Sequence, residues 1–175
     1  MPFYKPNSNG NYLSHCNPHP AQEIIEDDNV SVILNNFNNN WNIRETRLKD
    51  LIDDVYHNLE RTEGFHYGVS KEVCKLKGEN GEIPTNKVIR EHAVPATIVI
   101  EEIKRRVIVT GVIQSEEDLL GFLKEHYYMC YVTKKEDKKL NKKKMPNNWN
   151  DWDNWIARYK KAGIELDEKP TGQKD

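Results

Sequence analysis

Apolar residues recur every three or four positions between residues 43 and 60, which is the spacing of one face of an α-helix. The residues on this face are Leu48, Leu51, Ile52, Val55 and Leu59. This spacing predicts an amphipathic helix with a buried stripe. Gly64 follows the last turn, where a residue in the left-handed conformation commonly ends a helix.

The first 40 residues are instead rich in asparagine and proline, with glycine and serine among them. These residue types favour turns, so residues 1–40 are predicted to be a flexible N-terminal segment. Within it, the apolar run at residues 30–34 predicts one short strand. The asparagines that follow, at positions 35–40, predict a solvated linker.

Short β-like runs replace the helical pattern between residues 65 and 89. Residues 73–76 and 87–89 flank a turn that contains Asn80-Gly81, and this dipeptide is a strong hairpin signal. The pattern therefore predicts a β-hairpin. Pro84 places its second arm at a sheet edge, because proline has no backbone N–H to donate.

Helical patterns return after Pro95, which suits the first turn of a helix that extends to Val107. Ser115 is an N-cap residue for a short helix that ends near residue 125. The next run, residues 127–132, is apolar and predicts a buried strand. Together with the hairpin, these elements predict an α+β fold: a single compact domain over residues 41–166, followed by a disordered tail at 167–175.

Two further helices are predicted towards the C-terminus. Thr133 and Glu136 form a capping-box pattern at the start of a lysine-rich helix, which Met145-Pro146 ends. The last helix spans residues 151–162 and ends before Gly163. Aromatic residues at positions 152, 155 and 159 share one face of it, which is most simply a core face.

Charge is distributed unevenly along the 175-residue chain, although its formal net charge is only −2. Acidic residues cluster near the N-terminus at positions 23, 26, 27 and 28. The lysine-rich segment at residues 134–144 is densely basic, with Glu136 and Asp137 as its only acidic residues. A local basic patch is sufficient to attract a polyanion, so the near-neutral total does not argue against DNA or RNA as a partner.

The three cysteines are Cys16, Cys74 and Cys130, and no two of them form a Cys-x-x-Cys pair. A disulfide framework and a four-cysteine zinc site are therefore not expected. His15-Cys16-Asn17-Pro18-His19 contains metal-binding residue types, but in no spacing of a structural zinc site. The chain also lacks a secretory signal and a membrane-spanning stretch, which predicts a cytoplasmic protein without a membrane partner.

The residues with the clearest chemistry are Glu91 and His92, which end an apolar run just before Ala93-Val94-Pro95. An imidazole can accept a proton near neutral pH. A carboxylate can hold a hard divalent cation. A carboxylate and a histidine at one strand-to-helix junction are therefore half of a one-metal hydrolytic site.

The stretch Val88-Ile89-Arg90-Glu91-His92-Ala93-Val94-Pro95-Ala96 resembles the His-Me finger nucleases, the ββα-metal group that includes the HNH enzymes. Its Glu-His-x-Val-Pro-Ala motif is most similar to that of the bacterial endonuclease I type. The resemblance implies that His92 acts as general base and that Glu91 binds one divalent metal, Mg²⁺ or Mn²⁺. The strand and lysine-rich helix that begin at Tyr131 resemble the end of the same unit, which implies a further metal ligand from Asp137 or Asn141.

The lysine-rich helix is also the predicted nucleic-acid contact. The lysines expected to contact phosphates are Lys134, Lys135, Lys138, Lys139, Lys142 and Lys143. An ordinary solvated helix is the alternative interpretation of the same run.

The functional hypothesis is a metal-dependent endonuclease-like protein, or a degenerate relative that binds nucleic acid without cutting it. The alternative is a non-catalytic interaction or inhibitor protein of the phage or plasmid type that binds a protein partner. A third interpretation is a DNA- or RNA-binding accessory protein that does not descend from an enzyme.

Overall fold

A mixed four-stranded sheet, partly covered by helices, forms the centre of the computed structural model, which describes residues 20–39, 43–65 and 67–168, with side chains described between residues 29 and 167. The strands are β1 (Gly68–Ser70), β2 (Val88–His92), β3 (Met129–Thr133) and β4 (Leu166–Glu168). The helices are α1 (Pro20–Asn38), α2 (Glu45–Glu63), α3 (Lys71–Cys74), α4 (Ala96–Lys104), α5 (Glu116–His126), α6 (Lys134–Asp137) and α7 (Ala157–Ala162), and a π-helical turn (Arg105–Val109) continues α4. The predicted α+β class with one compact domain is confirmed.

The strands lie in the order β2-β3-β1-β4. β2 and β3 are antiparallel, with His92 opposite Met129 and Val88 opposite Thr133. β1 runs parallel to β3 and antiparallel to β4. The two middle strands are short and apolar, and Met129, Cys130 and Val132 of β3 are fully buried.

Two helices form where the apolar spacing predicts them. All five apolar residues predicted to share one face of α2 are buried, and Gly64 ends the helix with a φ of 74°. α5 begins after Ser115, whose hydroxyl accepts a hydrogen bond from the backbone N–H of Asp118. Within the described residues, no helix is both long and apolar enough to cross a membrane.

The strand predicted at residues 30–34 is wrong, because these residues lie in α1. Val30, Ile33, Leu34 and Phe37 are all buried, and their spacing is that of one helical face. The sequence predicts a flexible segment up to residue 40, whereas this face of α1 packs in the main core with α2 and α5. Residues 1–19 lie outside the described part of the chain.

The predicted hairpin is also wrong. Residues 71–74 form α3, which Ser70 caps by accepting a hydrogen bond from the N–H of Val73 at 3.2 Å. The Asn80-Gly81 turn does form, since the N–H of Gly81 donates to the carbonyl of Gly78 at 2.9 Å. The turn joins no paired strands, because β2 pairs with β3, about forty residues further along the chain.

The lysine-rich helix is much shorter than predicted. The Thr133–Glu136 capping box is present, but α6 ends after one turn at Asp137. Beyond it, the side-chain oxygen of Asn141 accepts hydrogen bonds from the N–H groups of Lys143 and Lys144, both at 3.0 Å. A side chain that binds nearby backbone groups competes with helix formation, so the segment continues as turns.

The last predicted helix is similarly shortened to α7. The carboxylate of Asp151 binds the N–H of Asp153, and the Trp149 indole donates to the carbonyl of Asn154 at 3.0 Å. In a longer α-helix the carbonyl of Asn154 would accept from the N–H of Arg158, but here it accepts from the indole and from the N–H of Ala157. Gly163 ends α7 in the left-handed conformation, as predicted. Residues 167 and 168 belong to β4, and the rest of the predicted tail lies outside the described residues.

Candidate functional site

Glu91 and His92 direct their side chains to different surroundings. They are neighbours in β2, and successive side chains of a strand point to opposite faces. The Glu91 carboxylate meets Arg158 of α7, at 2.8 Å. The His92 ring meets Asp53 of α2, with 2.9 Å between Nε2 and Oδ1. The structure therefore does not bring this carboxylate and this imidazole to one metal position.

The Glu91 carboxylate belongs to an ion-pair cluster. Lys142 donates to Glu91 at 3.0 Å and also contacts the carboxylate of Asp137. Burial lowers the pKa of the Lys142 ammonium, but its hydrogen bonds to Asp137 and Glu91 outweigh that effect and raise it above its usual value. Lys142 therefore remains protonated between the two carboxylates at neutral pH.

Arg158 holds this cluster to the end of β2. Its guanidinium donates to the carboxylate of Glu91, to the backbone carbonyl of His92 and, at 2.6 Å, to the carbonyl of Asn141. Arg158 is only 3% exposed. A buried arginine with three acceptors fixes the relative positions of β2, α7 and the chain after α6.

The His92 ring belongs to a separate cluster of hydrogen-bonded side chains. Asp53 accepts hydrogen bonds from the imidazole of His92 and from the hydroxyl of Tyr127. Burial raises the pKa of the Asp53 carboxyl, but the hydrogen bond and charge of His92, with smaller effects from Tyr127 and Arg90, bring it below its usual value. Burial also raises the pKa of Tyr127 well above its usual range. Asp53 orients His92 in the way a carboxylate orients a catalytic imidazole, but it also occupies one ring nitrogen.

Beside this group, α2 and the sheet form a second polar contact. The Arg90 guanidinium donates to the ring of His57 and to the hydroxyl of Tyr67, the latter at 3.2 Å. Burial raises the pKa of Tyr67 beyond its usual range. His57 and Asp53 lie four residues apart in α2, so they face β2 together.

The predicted metal ligands do not form a metal site. Glu91 and Asp137 come together as the resemblance implies, but their shared cation is the ammonium of Lys142. The side-chain oxygen of Asn141 is taken by backbone N–H groups. Nowhere in the described residues do three or more histidine, cysteine or acidic side chains form a group that could hold a metal ion. The residues present therefore do not fit a divalent ion, and the sequence His15–His19 lies outside the described residues.

The lysines predicted to contact nucleic acid are all exposed. They do not share one helical face, because only Lys134 and Lys135 lie in α6. Lys142 is distinct from the others, since its ammonium is engaged by Glu91 and Asp137.

Sequence reasoning missed Asp53, Tyr127 and Arg158. Asp53 is a polar position within an amphipathic helix, so nothing in the local pattern separates it from solvated neighbours. Arg158 lies in a segment that contains several other cations. Asp53 pairs with His92 and Arg158 pairs with Glu91, each more than thirty positions away along the chain, and no local signal predicts such a pairing.

Comparisons with known protein families, with curated proteins and with solved structures found no match.

Proposed function

We propose that this protein binds nucleic acid without metal-dependent cleavage, as a degenerate relative of the His-Me finger nucleases. The observation that carries the proposal is the Lys142 ammonium between Glu91 and Asp137. Two carboxylates meet where the resemblance implies a metal, and a side-chain cation already neutralises them.

The order of elements supports the relationship. β2 and β3 are antiparallel, and α6 follows β3 and contacts both strands. This is a strand, a strand and a helix, although α4 and α5 are inserted between the two strands. The histidine ends the first strand, and Asp137 lies in the helix, as the resemblance implies.

The loss of cleavage follows from the ion pairs. A divalent ion would have to displace both Lys142 and the buried Arg158 from Glu91. Removing one partner from a buried ion pair is strongly unfavourable, because it leaves the other charge uncompensated. His92 also directs its ring to Asp53, on the other side of β2, so a base at this position would not share the carboxylates' site.

The exposed lysines support nucleic-acid binding. Lys134, Lys135 and Lys138 are exposed. Cations that neutralise phosphates release condensed counterions, so binding of this kind weakens as salt rises.

The test combines a binding assay with a nicking assay on plasmid DNA and on RNA. The wild-type protein should bind with a steep salt dependence and show no cleavage with Mg²⁺ or Mn²⁺. Replacing Lys134, Lys135 and Lys138 together by Gln should make the log–log salt slope shallower by up to about three units. Gln is nearly as good a helix former as Lys, so α6 should survive.

The matched control replaces Arg44, Arg47 and Lys49 by Gln, which removes the same charge from an exposed part of the α2 region. It should leave the slope nearly unchanged. Metal-dependent nicking that His92→Ala abolishes would instead establish an active nuclease. An equal effect of the two triple variants would show that the lysine-rich segment has no specific role.

A protein partner is a second candidate, favoured by an open groove of about 970 Å³ beside α4. Lys104, Lys143 and Lys144 lie at this groove, together with Ile108 and Val109, which are 53% and 75% exposed. Large exposed apolar residues in a group mark interaction surfaces. We propose an acidic polypeptide segment with apolar side chains as the occupant, on grounds of charge complementarity.

The measurement for this candidate is binding of an acidic amphipathic peptide by the wild-type protein and by Val109→Asp. The variant should bind the peptide much more weakly and nucleic acid almost equally well. A peptide that binds both proteins with the same affinity would exclude the groove as the docking site.

A further inference from the structure

A second, smaller pocket lies between the Lys139–Asn147 chain segment and α7, and it shares Lys144, Met145 and Pro146 with the first groove. Its volume is about 270 Å³, and its polar lining consists of Lys139, Asn141, Lys144, Asn147, Arg158 and Lys161. Four of these residues are cations, and no carboxylate lines the pocket. The space is large enough for one small anionic group together with water.

Half of this positive charge has no close counterpart within the described residues. Arg158 is neutralised by Glu91, at 2.8 Å, and Lys139 interacts electrostatically with the carboxylate of Glu72. Lys144 and Lys161 have no carboxylate within ion-pair distance in that part of the chain. Two lysines therefore lie beside one small cavity without compensation, which is unfavourable unless an anion or solvent screens them.

Arg158 contributes to the lining, but little of it is accessible. Its side chain is only 3% exposed, and its Nε atom is buried without a hydrogen-bond partner, so this N–H is closed to a ligand in the pocket. The accessible polar groups of the lining are those of the lysines and the asparagines. A tetrahedral oxyanion supplies several acceptor oxygens at once.

We propose that this pocket binds a phosphomonoester, the dianionic group found at a phosphorylated nucleic-acid end. Two uncompensated lysines match a dianion better than the single charge of an internal phosphodiester. The choice of a nucleic-acid end as the source rests on the proposed function; a small phosphorylated molecule has the same chemistry. The pocket lies beside the Glu91–Lys142–Asp137 cluster, because Arg158 and Asn141 belong to both surroundings.

The experiment uses the full chain and three probes: inorganic phosphate, a 5′-phosphorylated oligonucleotide and the same oligonucleotide without the phosphate. Calorimetry should detect phosphate, and the phosphorylated oligonucleotide should bind at least about fivefold more tightly than the other. One contact ion pair in water corresponds to roughly a fivefold change in affinity, so Lys144→Gln with Lys161→Gln should remove this preference.

The control is Lys143→Gln with Lys160→Gln. These residues are the sequence neighbours of the test pair, are exposed and do not line the pocket, so the charge lost is the same. The preference for the phosphorylated end should survive in this variant.

The outcomes separate this inference from the proposed function. If inorganic phosphate binds and depends on Lys144 and Lys161 while neither oligonucleotide binds, the pocket stands, its ligand is a small phosphorylated molecule, and the nucleic-acid proposal fails. If the two oligonucleotides bind equally and phosphate does not bind, the pocket proposal is overturned while nucleic-acid binding remains. Equal loss in both double variants also overturns it, because the effect is then one of general charge.

Discussion

Replacing Arg158 by Met tests whether the buried ion-pair cluster holds β2 to the C-terminal part of the domain. The substitution keeps a long, flexible side chain and removes only the guanidinium. It leaves the Glu91 carboxylate and the carbonyls of His92 and Asn141 without their donor. All of these acceptors lie around a side chain that is only 3% exposed.

The expected loss of stability follows from this burial. Removing one partner of a buried pair costs about 3–5 kcal/mol, because an uncompensated charge remains. Lys142 still compensates the Glu91 charge in part, so we expect the free energy of unfolding of Arg158→Met to fall by an amount in the lower half of that range. In a domain of this size 1 kcal/mol corresponds to about 2–4 °C in Tm, so the midpoint should fall by roughly 6–15 °C.

Lys142→Met is the matched control. Lys142 contacts the same Glu91 carboxylate, but its side chain is 49% exposed. Solvent screens such a pair, and its loss should cost at most about 1 kcal/mol. The contrast between the two variants therefore compares a buried cation that also binds two backbone carbonyls with a half-exposed one that binds carboxylates only.

The assay is urea unfolding followed by circular dichroism, with Glu91→Gln and the double variant Glu91→Gln/Arg158→Met completing a double-mutant cycle. The two substitutions should be non-additive by about 0.5–3 kcal/mol, because they remove the same contact. Equal effects of Arg158→Met and Lys142→Met, or strict additivity with Glu91→Gln, would refute the reasoning.

Two further predictions concern stability. Because the pKa of Asp53 is lowered in the folded protein, the ionised carboxylate stabilises the fold fully above its unfolded pKa of about 3.8, and this stabilisation is lost as pH falls through the folded pKa. The free energies of unfolding of wild type and Asp53→Asn, measured from pH 7 to pH 2, should therefore converge at the acid end. A difference that stays constant over this range would contradict the prediction. Ser115→Ala should destabilise the protein by about 0.5–2 kcal/mol in thermal unfolding, because the N–H of Asp118 loses its cap, whereas Ser115→Thr should retain most of the stability.

Local chemistry was sufficient to predict part of the fold. The apolar face of α2, its end at Gly64, the cap of α5, the buried strand β3 and the Thr133–Glu136 capping box all follow from residues within one or two turns of each other. The α+β class follows from these elements together. Such features depend on spacing and hydrogen bonds that a short stretch makes with itself, and a sequence displays them directly.

The misassigned elements share a different cause. The run at residues 30–34 has strand-forming residue types, but it is helical in the structure, because a helix buries Val30, Ile33 and Phe37 together against α2 and α5. The arms around Asn80-Gly81 read as a hairpin, yet β2 finds a better partner in β3, with which it buries apolar residues from both strands. Strand pairing is non-local, so a turn signal cannot identify the partner.

The candidate site shows the same difference between local and non-local information. The sequence by itself singled out Glu91, His92, Asp137 and the exposed lysines, because these residue types carry recognisable chemistry at short spacing. Only the tertiary structure decided that His92 meets Asp53, that Lys142 lies between two carboxylates and that Arg158 closes the cluster. The physical reason is that an ion pair is specified by distance in space, and residues 91 and 158 become neighbours only when β2 and α7 pack together.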